Sequence, residues 1–548
     1  MIFIPTILMP FGVSIHAWMF IISFLIAIGI SLFLFPFSNS SSKWLGIFLF
    51  IVFISCSLLL LVYICSNLYV SGYDSNSYHK VAVGLLKSGW NPWTGSSHDF
   101  VMQNMSVNDY PLTTPAKWID HYAKGTWIFS SVMYAFFGNV ECGKIYNILG
   151  VFASFIFVYC ASYELSSSKL VSLILGIVTA LNPVSIAQLT EYYVDGFLYS
   201  IFFVLLCSLT KFALTPKFTT LKENILLWTL IISSMCILAN IKITGLLYGG
   251  VFCIVTYAYH SYKYFCMQKN INVNVVLKNL LLFTSTAISS ICIMGLHTYV
   301  RNTLDHGNPC YPIVGADKVD VLTSQIPETL VGHNTIYKLF YSIYGCMQVS
   351  ISDSVHLRLP FIPTLEEFSM IPGPDLRISG YGLFFSGLFS ISMITCVILL
   401  IKDIKTSKSL NYYSVLFITS LSLAIFISDG WWARFTPYIY LIVIIALFMI
   451  LFIFQQHPKY YSTICVILLS LLFLANNIFF FKNTISSVKY SLIVNYQFNP
   501  LKGQDILLEL DSGVGKLFDF KDHDINYTVV DTIENPSQGC YSEIIEIW

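Results

Sequence analysis

Two aspartates, two arginines and two lysines of this chain stand where a side chain could do chemistry rather than merely dissolve a surface. Asp74 lies in Val70-Ser-Gly-Tyr-Asp-Ser-Asn-Ser-Tyr-His79, just beyond a long apolar run. Gly72 and the Ser/Asn cluster predict a turn, and residues 75–88 predict a helix with Val81, Val83 and Leu86 on one side. Asp74 could cap that helix near its positive end. It could also hold a carboxylate at a membrane-facing cavity, as a general base requires, and the two roles are compatible. Tyr78 and His79 close the segment as candidate substrate contacts.

A second pair of acids occurs in Glu191-Tyr-Tyr-Val-Asp195, after Leu181-Asn-Pro-Val184. Asn182-Pro183 is expected to bend the end of one apolar span. Asp195 then falls at or just inside the outer end of the next, a depth at which an ionisable group is expensive and functional by default. Glu191 is expected in the headgroup layer. Lys242, in Asn240-Ile-Lys-Ile-Thr-Gly245, occupies a very short connection between two spans, where it could snorkel to the headgroups or face Asp195. His121 and Lys124 precede a short apolar stretch, and Lys124 is either solvated or a counter-charge to a buried phosphate. The chain has only four arginines: Arg301, Arg358, Arg377 and Arg434. Arg301 ends one span and Arg434 begins another. Each is either an interfacial anchor or a bidentate grip on phosphate, which lysine cannot supply.

The elements that must position these groups are membrane helices. Charged residues are 11% of the 548, against about 25% in a soluble domain, while apolar residues are 56% and mean hydropathy is +0.71. Spans of about 20 apolar residues are predicted near Ile15–Pro36, Trp44–Tyr69, Ile145–Leu165, Leu170–Gln188, Tyr193–Leu214, Ile225–Ala239 and Ile243–Tyr259. Others fall near Leu280–Val300, Tyr381–Ile401, Tyr412–Ile427, Phe435–Phe454 and Tyr461–Phe481. Thr126–Phe137 is too short to cross and is expected on or dipping into the membrane surface. This gives an all-α polytopic membrane protein of about 12–13 helices, with large outer loops and a small C-terminal lobe.

Lysine placement orients it. Lys43, Lys169, Lys211, Lys217, Lys222, Lys263, Lys269, Lys278, Lys402, Lys405, Lys408 and Lys459 share one side, against Lys144, Lys242 and Arg434 in the opposite short loops. The richer side is the inside, and both termini lie outside. The chain divides into 1–69 with two helices, an outer segment 70–144, a membrane core 145–300, a Pro- and Gly-rich outer segment 301–380, the helices of 381–481, and an acidic outer lobe 482–548. In that lobe Tyr527–Asp531 and Glu543–Trp548 alternate like short strands. The first apolar segment is long and lacks a basic start, so no cleavable signal is expected.

Several classes are excluded. A formal net charge of +0 leaves no basic field for nucleic acid. The fourteen cysteines are scattered with no CxxC pair, so a zinc site or disulfide scaffold is not expected. No Ser-His-Asp order and no HExxH pattern appears. Asp74, Lys124, Asp195, Lys242, Arg301 and Arg434 gather at one leaflet. That suits a reaction on a phosphorylated lipid and does not trace a path across the bilayer, as a transporter needs.

In order along 73–259, and in single elements beyond, the chain resembles the polytopic GT-C glycosyltransferases, a superfamily that includes protein O-mannosyltransferases and the lipid A aminoarabinose transferase. The resemblance rests on Asp74 with Tyr78 four positions later, Lys124-Gly125 before a helix closed by Phe136-Phe137-Gly138, and Asp195 after an Asn-Pro turn. Lys242 with Gly245, and Trp431-Trp-Ala-Arg434 at the start of a late span, complete it. Ser75 replaces the family's usual second acid, and the prolines expected after Lys124 are missing. The resemblance implies an inverting transfer of a sugar from a polyprenyl-phosphate donor to a glycan, lipid or protein acceptor, on the outer face of a bacterial cytoplasmic membrane. It implies Asp74 as base and Asp195 as an orienting group or a ligand of a divalent metal. Tyr78, His79, Lys124, Lys242, Arg301 and Arg434 would then bind substrate. The alternatives are an O-antigen-type polymerase or ligase, and a lipid-linked oligosaccharide transporter.

Overall fold

The computed structural model describes residues 1–34, 43–104, 116–215, 220–267, 273–315, 318–319, 325–348, 355–406, 410–427, 430–453, 459–509 and 513–530. The described residues are overwhelmingly helical. They include eight helices long and apolar enough to cross a membrane, and shorter apolar helices at Trp18–Phe33, Gly125–Phe137, Lys169–Ala180, Tyr412–Phe426 and Pro437–Phe452. The all-α polytopic architecture read from hydropathy is therefore the one observed.

The helices sort by burial. Lys43–Ser66 is apolar all round, and only 6% of its most apolar window is covered by the rest of the chain, so its surface is left to lipid. Asp195–Leu214 is the opposite case, with 78% of its window buried. Pro437–Ile453 is buried along nearly its whole length. These two helices form the centre of the bundle, and each begins beside a candidate site residue.

Breaks in the helices follow from local chemistry. The expected span Leu170–Gln188 is interrupted: the helix Lys169–Ala180 stops, and a separate turn Pro183–Ala187 follows. Pro183 lacks an N–H and disfavours helical geometry at Asn182. Asn182 instead caps the new turn, its side-chain oxygen accepting from Ser185 N at 3.0 Å. Gly125–Phe137 is a 13-residue helix, about 20 Å long at 1.5 Å per residue, which falls short of the ~30 Å hydrocarbon layer. It is buried against Lys80–Lys87, so protein as well as lipid covers it.

The 301–380 segment contains the short helices Arg301–His306, Thr335–Tyr344 and Leu365–Ser369. Arg358 staples it from within, donating to Glu367 at 2.7 Å, Ser379 Oγ at 2.7 Å and the Gly382 carbonyl at 3.0 Å. The segment from Lys482 opens with a helix, Phe481–Phe498, following Lys459–Ile478. Beyond it, strand β1 (Asp505–Glu509) pairs in parallel with β2 (Asn526–Val530), Asp505 opposite Asn526 and Glu509 opposite Val530. The helix Lys516–Asp522 makes the crossover. The strand expected at Tyr527 is thus present, and the one expected at Glu543–Trp548 lies outside the described residues.

The lysine asymmetry makes a testable statement about sidedness. Ser75 is fully buried and cannot report it. Cysteines introduced at Tyr73 and Leu365, which are 68% and 90% exposed, should react with a membrane-impermeant thiol reagent added outside, and one at Leu221, 75% exposed, should not. Labelling of Leu221→Cys with protection of the other two would invert the topology.

Candidate active site

The site forms where the central helices begin. Asp195 is the first residue of Asp195–Leu214, so its carboxylate meets the positive end of that helix. Arg434 sits in the turn Ala433–Phe435, immediately before Pro437–Ile453. That turn is pinned on three sides. Arg434 N donates to the Leu376 carbonyl at 3.1 Å, Tyr199 OH to the Ala433 carbonyl at 2.7 Å, and Tyr248 OH to the Phe435 carbonyl at 2.8 Å.

The Arg434 guanidinium is the hub. Its Nη1 donates to Asp74 Oδ2 at 2.9 Å and lies 3.6 Å from Asp195 Oδ2. Its Nε is 3.0 Å from Asp375 Oδ1, an ion pair without an aligned hydrogen bond. The rings of Tyr193, Trp432 and Phe435 surround the guanidinium at 5.1, 5.0 and 4.8 Å from their centroids. Lys242 Nζ donates to Asp195 Oδ1 at 2.8 Å and sits 3.8 Å over the Phe435 ring. Arg377 Nη2 donates to Asp375 Oδ2 at 2.8 Å, and Trp432 Nε1 to Asp375 Oδ1 at 3.0 Å. Three acids and three bases thus balance. Burial alone would raise the Asp375 carboxyl, but Arg434 and Arg377 hold it below the usual carboxylate range.

Asp74 is where the structure departs from the capping expectation. Its side chain makes no cap bond to the turn that follows. The carboxylate reaches across 360 residues of sequence to Arg434 instead, because a guanidinium in a low-dielectric pocket outbids a backbone N–H. Among the described residues its Oδ1 takes no hydrogen bond, and the side chain is 18% exposed. The following residues Ser75–His79 form a wide π-helical turn before the helix Lys80–Lys87; such turns often mark functional positions.

Glu191 is fully buried within the protein. Its carboxylate accepts from Ser71 N at 3.0 Å, Ser71 Oγ at 3.0 Å, Gly72 N at 3.2 Å and Ser75 Oγ at 2.7 Å. It fixes the chain on the N-terminal side of Asp74. Burial raises its carboxyl, and these donors oppose the rise.

Tyr78 and His79 join the same region. Burial, and then the Asp74 charge, push the Tyr78 phenol well above its ordinary range, so it keeps its proton. Burial, then Lys242 and Arg434, hold His79 well below its ordinary value, so it is neutral. Its Nδ1 accepts from Trp127 Nε1 at 2.7 Å, which places its proton on Nε2. Lys124 and Arg301 do not reach the carboxylates. Lys124 Nζ donates to the Asp120 and Tyr122 carbonyls at 2.7 and 3.0 Å, and burial lowers its ammonium to about 7. Arg301 Nε pairs with Asp305 at 3.2 Å in a half-exposed turn.

Asp375 and Arg377 complete the site without having been singled out as binding groups, beside Trp432 of the Trp431-Trp-Ala-Arg434 element. The only local signal is Pro372-Gly-Pro-Asp-Leu-Arg377, a constrained turn carrying both charges. A divalent metal does not fit: the three aspartates converge on a guanidinium, and no cluster of three or more His, Cys, Asp or Glu among the described residues could hold an ion.

The fold and site together define a polytopic, all-α membrane protein with a charge-balanced polar cluster at one end of its bundle. No family model matches the sequence, and no curated protein matches it. Two solved structures follow a similar course: ArnT from Cupriavidus metallidurans bound to undecaprenyl phosphate, and the same protein in the apo state. Each is 9% identical with a TM-score of 0.45. The first covers 89% of this chain and 86% of ArnT, the second 88% and 85%.

The hub role predicts a specific pattern of rescue. Arg434→Met leaves three acids against two bases, and breaking a buried pair costs about 3–5 kcal/mol. The melting temperature in detergent should fall, and Arg434→Met with Asp375→Asn should recover most of it. A single variant as stable as the parent would remove Arg434 from the hub.

Proposed function

We propose that the chain is a membrane glycosyltransferase that moves a sugar from a polyprenyl-phosphate donor to a hydroxyl acceptor on a glycan, lipid or protein, with inversion. One observation carries this reading: Asp74, with a free carboxylate oxygen, is held by Arg434 within the cluster that also contains Asp195 and Lys242. Of the residues that carry the GT-C resemblance in sequence, Asp74, Asp195, Lys242 and Arg434 meet in this cluster, and Lys124 does not.

The step balances simply. The acceptor oxygen forms a bond to the anomeric carbon as the bond from that carbon to the phosphate oxygen breaks. The acceptor proton passes to Asp74 Oδ1, and the polyprenyl phosphate leaves with the bonding pair. Arg434 keeps Asp74 aimed, because a guanidinium holds several acceptors in a fixed fork. Lys242 and Arg434 stabilise negative charge as it develops on the leaving phosphate, a role that is strong where water is excluded. Asp195 orders both cations and orients sugar hydroxyls. Neutral His79 and protonated Tyr78 supply donors to the sugar or the acceptor. Lys124 and Arg301, which do not reach the carboxylates, would add positive charge at longer range to the site of that same phosphate. The reaction is assigned to the outer face of a bacterial cytoplasmic membrane, the side indicated by the lysines.

The direct test incubates purified protein with a panel of polyprenyl-phosphate sugars and follows sugar transfer. Use of polyprenyl pyrophosphate sugars alone would point to a polymerase or ligase. Asp74→Asn should keep fold and donor binding while lowering turnover by about 10²–10⁴, and near-normal turnover would end its role as base. A second expectation concerns pH. The Lys124 charge is present below pH 7 and lost above it, so donor KM should rise as pH passes upward through about 7. Lys124→Met should flatten that rise, and an unchanged profile would remove Lys124 from the donor site.

A further inference from the structure

The C-terminal lobe touches the site segment at every turn. Tyr69 OH lies 2.6 Å from His523 Nε2. Gly515 N donates to the Asn76 carbonyl at 2.7 Å, in the middle of the wide turn that follows Asp74. Gly515 is required for that approach, since a Cβ there would come within 2.6 Å of the Asn76 oxygen and 3.0 Å of Lys80 Cβ. Lys80, the first residue after the turn, is fully buried and donates to Asp519 Oδ2 and Glu141 Oε1, each at 2.6 Å. Glu141 in turn pairs with Lys144. Phe518 fills the space beside Gly84, where a Cβ would come within 1.9 Å of its ring. Asp522 accepts from Tyr134 OH at 2.5 Å and from Val140 N at 2.7 Å.

These contacts are not those of a lobe tethered beside the membrane. Lys80, Lys144, Glu141 and Asp519 form a second charge-balanced network, separate from the Arg434 hub, and only Asp519 comes from the lobe. The turn Ser75–His79 is therefore held from two directions. Glu191 grips its entrance through Ser71, Gly72 and Ser75, and the lobe grips its middle and exit through Gly515 and Asp519. Asp74 lies within the Glu191 grip, and Tyr78 and His79 lie within the lobe's, the two grips adjoining at Ser75 and Asn76.

We propose that the helix Lys516–Asp522 is a brace for the reacting segment, with Asp519 a positioning residue that acts through Lys80 on Asp74, Tyr78 and His79. This rests on the reading of Asp74 as the acceptor's base. The π-turn departs from regular α-helical geometry, and the packing on either side of it fixes the segment that carries Asp74, Tyr78 and His79. A displacement of about 1 Å in such a group can cost on the order of 10²-fold in rate.

The test uses the full chain in detergent or lipid discs, with Asp519→Ala, Asp519→Glu and Gly515→Ala. Two readouts are taken: transfer kinetics with a polyprenyl-phosphate sugar, and amide hydrogen exchange. Asp519→Ala is expected to lower kcat tenfold or more with KM for the donor within twofold, and to speed exchange in 72–80 but not in 195–214. Asp519→Glu should restore most of kcat, which a merely stabilising contact would not require. Gly515→Ala adds no buried charge and should reproduce the loss if Asp519→Ala fails to fold. Unchanged kcat and exchange in a folded variant overturn the proposal, as does a kcat loss with faster exchange across the whole chain. If the parent protein transfers no sugar, the exchange arm still decides. Local loosening of 72–80 leaves the brace standing and fails the glycosyltransferase reading, and no local loosening ends the brace.

Discussion

One guanidinium holds the site together. Asp74, Asp195 and Asp375 come from three separate parts of the chain, and each places an oxygen within 3.6 Å of Arg434. Three carboxylates in a water-poor pocket repel one another, and desolvation of each costs several kcal/mol unless a cation answers it. A lysine could not answer all three, because its charge is compact and its donors share one point. Arginine presents five donors in a plane and can bridge separated acceptors. Lys242 and Arg377 then neutralise what Arg434 leaves over. The 70–144 segment, the start of a central helix and the 301–380 segment are therefore obliged to meet where Arg434 is.

The position of Arg434 is itself set by backbone. Tyr199 and Tyr248 hold the carbonyls on either side of it, and the Leu376 and Arg377 carbonyls accept from the Arg434 and Ala433 amides. The 372–377 turn is thereby fastened to the turn that precedes the central helix Pro437–Ile453. Asp375 is carried into the pocket by that backbone pairing as much as by its charge.

Buried irregular backbone survives only where other groups satisfy it. The stretch Gln188–Tyr193, which leads into Asp195, shows how. Asn147 Nδ2 reaches the carbonyls of Gln188, Glu191 and Tyr193 at 3.0, 2.8 and 3.2 Å. Tyr146 OH donates to the Tyr192 carbonyl at 2.7 Å, and Gln188 Oε1 accepts from Gly196 N at 2.7 Å. A non-helical entry is what lets Asp195 sit at a helix N-terminus inside the bundle. The Glu191 carboxylate, four residues before it, is then free to hold Ser71, Gly72 and Ser75. The same loop thus supplies one acid to the hub and one to the scaffold.

Much of this was legible in the sequence. Apolar runs of membrane length located the helices, since a bilayer of fixed thickness admits little else. Asn182-Pro183 located a break, because proline lacks a donor whatever surrounds it. The scarcity of charge made Asp74, Asp195, Lys242 and Arg434 stand out, because an ionised group near the hydrocarbon needs a reason to be there. What sequence could not supply was partnership. The choice of Lys242 or Arg434 for Asp195 was open by topology, and the structure uses both. Glu191 looked ordinary because its donors, Ser71, Gly72 and Ser75, are backbone amides and hydroxyls more than a hundred residues away. Asp375 did not stand out, and Lys124 and Arg301 grouped with the acids at one leaflet, because charge and order along the chain say nothing of distance across it. The Lys80–Asp519 pair spans 439 residues and leaves no periodicity or motif behind. Local propensity and the bilayer fixed which segments are helices and which residues are costly; only packing decided which costly residues neutralise one another, since that depends on distances of a few ångströms between segments the sequence keeps apart.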